Sequence, residues 1–140
     1  MNAKADALKR RTHDFFVRVI LFCDTIPASA AGASIARQLV DAAGSVDSNY
    51  GAATKGRTRR QFIDKLGIAS EEADESKRWL EALRDAGLGK RDELLALIKE
   101  ADELTAILVA SHKTARRRLE EAERQENAAR AARNRQSPSR

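Results

Sequence analysis

The only prolines are Pro27 and Pro138, so no proline interrupts residues 28–137. Over that span the apolar residues recur at alternating spacings of four and three. A proline-free stretch with this period folds as long amphipathic helices, since the period matches one stripe of an α-helix. Upstream of Pro27 the same spacing joins Leu8, Thr12, Phe15, Val19, Phe22 and Ile26, and Phe16, Ile20 and Cys23 widen the stripe. A second stripe runs Ile35, Leu39, Ala42, Val46, Asn49, Ala53. A third runs Phe62, Leu66, Ala69, Ala73, Ser76, Leu80, Leu83. The fourth runs Leu94, Ile98, Ala101, Thr105, Leu108, His112 and continues through Ala115, Leu119 and Ala122.

Helix ends follow from the residues between the stripes. The residue before Pro27 is biased away from helical angles, which stops the first helix near Thr25. Ser29 and Thr58 suit N-caps, Gly56 suits a left-handed C-cap, and Gly87 and Gly89 end the third helix. The spacing predicts helices over about 4–25, 32–54, 59–86 and 91–125, with ends uncertain by ~2–4 residues. Short connections make these an all-α, antiparallel up-down four-helix bundle over residues 1–126, with an extended C-terminal helix. Composition agrees: 26 alanines and only six aromatic residues suit close-packed helices better than a β-sandwich. Residues 127–140 hold no large apolar side chain and read as a basic, disordered tail.

Several functions drop out. No apolar run approaches the ~18–20 residues of a membrane span, and the N-terminus lacks a signal-peptide core. The lone Cys23 permits no intrachain disulfide and fits a reducing cytoplasm. His13 and His112 have no Cys or His at ligand spacing, so neither a metal nor a cofactor is expected. The carboxylates Glu71, Glu72, Asp74 and Glu75 form a charge run of the kind that faces solvent, with no cleft to separate an acid from a base. The chain reads as a non-enzymatic interaction module.

The stretch from Gln38 to Leu83 carries a recognisable pattern: Ser45-Val46, Asn49-Tyr50, Arg60, Phe62-Ile63, Lys65-Leu66-Gly67-Ile68-Ala69, Glu72-Ala73, Glu75 and Trp79-Leu80. In order and spacing these residues resemble the 23S rRNA intervening-sequence proteins of bacteria. Similar proteins include the accessory variability determinant of diversity-generating retroelements. The resemblance covers about residues 8–110 and implies a four-helix bundle assembled as a homopentamer. For the retroelement relatives it implies nucleic acid and a reverse transcriptase as partners. One position departs: the family usually carries Glu three residues after the helix-2 Asn, and this chain has Ala52 there. A role that needs that carboxylate is not carried over.

Two clusters stand out. Asn49 falls on an apolar seam, and folding the helices back brings Thr12 and His112 near its level. Together they form a structural polar layer that fixes register, or they mark a wet end of the bundle. The second cluster is basic. Residues 1–112 hold 17 Lys/Arg and 17 Asp/Glu, so the net charge of +5 comes from residues 113–140, with nine basic and four acidic. Lys55, Arg57, Arg59 and Arg60 lie at the turn between helices 2 and 3. An up-down bundle brings Lys9, Arg10 and Arg11, and Lys113, Arg116, Arg117 and Arg118, to the same end. This pole is either a footprint for phosphate backbones or a solvated rim. The first reading makes the chain a nucleic-acid binder, for RNA or DNA, with little sequence specificity. The second makes it a scaffold whose partner is another polypeptide. Helix 1 is apolar over more of its girth than one core requires, and Leu95 and Ile107 lie off the main seam of helix 4. Both point to a homo-oligomer, with the number five implied by the resemblance alone.

Overall fold

The computed structural model describes residues 2–137, which form α1 (Ala3–Cys23), α2 (Ala30–Thr54), α3 (Arg59–Ala86) and α4 (Arg91–Gln136). Each helix packs against the next in the chain, and α1 also touches α4, closing an up-down four-helix bundle. No strand occurs among the described residues. The predicted caps form at two helix starts. Ser29 Oγ accepts from the Gly32 amide at 3.0 Å, and Thr58 Oγ1 accepts from the Gln61 amide at 3.1 Å. The turn between α3 and α4 depends on its glycines: Gly87 (φ +71°) and Gly89 (φ +86°) are left-handed, and a Cβ on Gly89 would lie 2.6 Å from Phe22.

The core has two parts. The larger joins Phe15, Val19 and Phe22 of α1 to Leu39, Leu80, Leu83, Leu97 and Leu104, all buried. The smaller gathers Val46, Tyr50, Leu66, Ala69, Ala73 and Leu108. Among the described residues no buried side-chain nitrogen or oxygen lacks a hydrogen-bond partner. Thr12 and Ser76, both fully buried, donate to the main chain of their own helices at Lys9 and Glu72.

The structure corrects the predicted pattern at several points. In α4 the buried row includes Leu97 and Leu104, while Ile98 and Thr105 are half-buried. This helix faces both α3 and α1, so its core face is wider than one row. Phe62, placed on the third stripe, is half-buried and Ile63 is buried in its place; Trp79, beside that stripe, is half-buried as well. The Trp79 indole packs on the core by one edge and donates Nε1–H to Glu75 at its wet edge, 3.2 Å away. Gly56 is not left-handed: α2 tightens at its end, with the Lys55 amide donating to Ala52 O at 3.2 Å. The tail is the largest departure. Residues 127–136, expected to be disordered, continue α4 as a fully exposed helix. Alanine, arginine and glutamine are strong helix formers, and nothing stops the helix before Ser137. Residues 138–140 of the expected tail lie outside the described residues.

Leu104→Ala should lower the unfolding free energy by ~2–5 kcal/mol in a urea titration, as for a fully packed leucine. Trp79→Ala should cost less than the ~3–5 kcal/mol of a fully buried aromatic, because part of its surface is already in water.

Candidate nucleic-acid interface

The end of the bundle made by the α2–α3 turn is held by reciprocal hydrogen bonds. Thr58 caps the start of α3 through the Gln61 amide, and Gln61 Oε1 accepts from the Arg57 amide at 2.9 Å. Arg59 and Arg60 therefore stand in the first turn of α3, which contains no acid. Cations there oppose the helix dipole, an arrangement that costs about 0.3–1 kcal/mol for each exposed charge. An arriving anion would relieve it.

Two grooves flank this turn. On one side a groove of about 510 Å³ between α1 and α2 is lined by Lys9, His13, Asp47, Ser48, Gly51, Ala52 and Lys55. Ala52 lines it where the related pattern carries a glutamate, so Asp47 is the one acid among the lining residues. That carboxylate accepts from His13 Nδ1 at 2.9 Å, which raises the affinity of the exposed imidazole for its proton. On the other side a groove of about 460 Å³ between α3 and α4 brings together Arg59, Phe62 and Arg118. The grooves thus join Lys9 to Lys55 and Arg59 to Arg118, so residues from all four helices and the turn meet at one end.

Nine of the eleven basic residues expected at this pole are exposed and have no ion pair among the described residues. The other two are engaged elsewhere. Arg11 is drawn to α4, where it pairs with Glu100 and Glu103, and Arg60 pairs with Glu123. Consecutive helix residues point ~100° apart, so the run Lys9-Arg10-Arg11 cannot act as one patch.

The polar layer is not assembled. Thr12 donates to Lys9 O at 3.0 Å, with a long 3.5 Å approach to Asp47. Asn49 Nδ2 donates to Ser45 O and Ser45 Oγ, both at 2.9 Å, within its own helix. His112 packs against Gly67, where an added Cβ would come within 3.1 Å of its Nε2. No hydrogen bond links the three among the described residues. Tyr50 takes the buried place beside Asn49, its hydroxyl 3.5 Å from Ala5 O. The spacing of four from the buried Val46 is the signal for it. Cys23 is half-buried, and burial pushes its thiol up to about 11, away from the reactive range. Among the described residues no group of three or more His, Cys, Asp or Glu could hold a metal, and no helix is long and apolar enough to cross a membrane.

The fold and this site define an all-helical up-down bundle with a basic pole. Residues 6–110 match the family described as 23S rRNA-intervening sequence protein, and the chain belongs to that family. It is similar to a solved protein of unknown function from the S23 ribosomal protein family of Bacteroides thetaiotaomicron. That likeness has a TM-score of 0.71 at 24% identity, over 79% of this chain and 98% of that one, and shows the fold. No curated protein matches the chain. The basic part of α4 from Lys113 onward lies beyond the matched residues.

The His13–Asp47 pair makes stability depend on pH. The native imidazole titrates above its ordinary value of 6.5, so the pair contributes fully below pH 6.5 and is lost as pH rises through the native value. The melting temperature should fall slightly between about pH 6 and 8. His13→Gln should flatten that fall when melting is followed by circular dichroism.

Proposed function

We propose that this chain is a non-catalytic, self-associating module that binds RNA or DNA through its basic pole. The observation that carries the reading is that both grooves beside the α2–α3 turn are lined by exposed basic residues with no ion pair among the described residues, Lys9 and Lys55 in one and Arg59 and Arg118 in the other. Phosphate oxygens would replace the missing counter-charges, with Arg57 and Arg117 forming forked contacts and Lys55 and Lys113 acting as point charges. Contacts of this kind position a strand without reading its sequence, so the expected specificity is low. A reducing cytoplasm suits a chain whose single cysteine has no disulfide partner.

Self-association is supported by a separate surface. On α1, Val17, Ile20 and Leu21 are 40%, 42% and 63% exposed, and on α4 Leu95 and Val109 are also open to water. Val17, Ile20 and Leu21 lie within about one turn of each other on α1, and an exposed apolar patch of this kind usually marks an interface. In a cyclic assembly every subunit points the same way, so the pole of one chain would repeat around a single ring. Several weak phosphate contacts would then act together on one polyanion. Five subunits is the number the family resemblance implies.

Affinity for a mixed-sequence RNA or DNA should fall by orders of magnitude between about 50 and 200 mM salt. Replacing Lys55, Arg57 and Lys113 with Gln should weaken binding and reduce the salt slope by about 2–3, with the helical signal unchanged. If that triple variant binds as well as the parent at every salt concentration, the pole is a solvated rim and the polypeptide-partner reading takes its place. Light scattering should give a mass several times the 15.4 kDa of one chain. Ile20→Lys with Leu21→Lys should bring it down to that of the monomer, while a 15.4 kDa parent would remove self-association.

A further inference from the structure

The groove between α3 and α4 differs from the rest of the pole because it is not only basic. Its floor is apolar, made by the half-buried Phe62 and the buried Ile63. The apolar residues that α4 brings to the groove are the small Ala115 and Ala122, beside about 460 Å³ of open space. That volume falls within the ~300–1,000 Å³ of ordinary small-molecule sites. The Arg60–Glu123 ion pair links the same stretches of α3 and α4. Arg59 and Arg118 stand along the groove, while Glu121 and Gln125, one turn apart on α4, supply a carboxylate and an amide.

We propose that this groove receives one unpaired nucleobase of the bound strand, seated on Phe62, with the adjoining phosphates on Arg59 and Arg118. The proposal rests on the nucleic-acid reading above and deepens it, since it names single-stranded nucleic acid as the substrate class. An aromatic side chain beside guanidinium groups is the chemistry that holds an unstacked base, because aromatic rings stack on any base and guanidiniums take the phosphates. A duplex keeps its bases stacked and cannot fill the space. The acid sets the orientation. Glu121 repels phosphate, so the backbone runs along the arginines and the edge of the base points toward Glu121. There the carboxylate accepts from an exocyclic amino group, as it does from the N4 amine of cytosine. Gln125 has both a donor and an acceptor for the remaining edge. Bases with an amino group are therefore preferred to those without one.

The test uses the full chain with three labelled 20-nucleotide probes, oligo-dC, oligo-dT and a mixed-sequence duplex, read by fluorescence anisotropy at fixed salt. The parent should bind oligo-dC most tightly. Phe62→Leu keeps an apolar side chain on the floor but removes the ring. It should weaken oligo-dC binding about ten-fold and leave the duplex unchanged, in line with the loss of one stacked base. Glu121→Gln should narrow the difference between oligo-dC and oligo-dT. The proposal is overturned if the parent prefers the duplex, or if Phe62→Leu weakens all three probes equally or none of them. It is also overturned if Phe62→Leu changes the mass seen in light scattering, because the groove would then hold a side chain of a second copy. A parent that binds none of the probes removes the nucleic-acid reading itself. If the parent binds the probes but neither Phe62→Leu nor Glu121→Gln changes the comparison between them, the base site is removed and the basic pole is left standing.

Discussion

Burial of one apolar stripe from each helix sets the length over which the four helices can stay together. In α4 the fully buried positions run from Leu94 to Leu108. Beyond them Ala115, Leu119 and Ala122 are only half-buried, and from Arg124 to Gln136 every residue is exposed. The helix nevertheless continues for 46 residues, about 69 Å at 1.5 Å per residue, whereas α3 has 28. Its end leaves the bundle because no side chain there can stabilise contact with a neighbour. The mismatch creates the α3–α4 groove. Phe62 lines the groove where α4 brings Ala115, Arg118 and Ala122 to it, and it is left half-covered.

The same division appears in the charges. Within the packed body, acids of α4 answer the bases of the other helices: Glu100 and Glu103 hold Arg11, Glu93 meets Arg18 at 3.1 Å, and Asp102 meets Lys77 at 2.8 Å. These exposed pairs contribute little stability singly, about 0–1 kcal/mol each, but they leave the body without a strong field. At the α2–α3 end only Arg60 with Glu123 and His13 with Asp47 are paired among the described residues. The net positive charge is concentrated where the packing is weakest.

Much of the fold was legible because period and caps agree. The stripes of α1 and α2, and the capping residues Ser29 and Thr58, are local features that tertiary packing had no reason to override. The errors arose where a position depends on how many neighbours surround a helix. Leu97 and Leu104 are buried because α4 faces two helices at once, and a single-stripe reading sees only one of them. Asn49 lies on the ideal seam, yet its amide is satisfied within one turn by Ser45, so the burial shifts to Tyr50. In the pole, the sequence run Lys9-Arg10-Arg11 shows charge but not direction. The ~100° step between residues sends Arg11 to α4 and Lys9 to the α1–α2 groove. The α3–α4 groove was not legible at all, because it depends on the distance between two helices and on which small residues line it.

The first turn of α3 breaks the rule that governs the other helix ends. Acids stand in the first turns of α1 and α4, as the helix dipole favours, and α2 begins without charge. Only α3 begins with two arginines, at a turn whose geometry is already secured by Thr58 and Gln61. Arg60 has a partner in Glu123, but Arg59 has no ion pair among the described residues and stands against the dipole, so folding alone gives no reason for it. Local choices that oppose folding collect at functional sites. Here the unfavourable charge lies on a surface separate from the leucine core, between two grooves lined by further cations. A polyanion laid across that end would satisfy the arginines, the helix dipole and the lysines of both flanking helices in one contact, with the core left untouched.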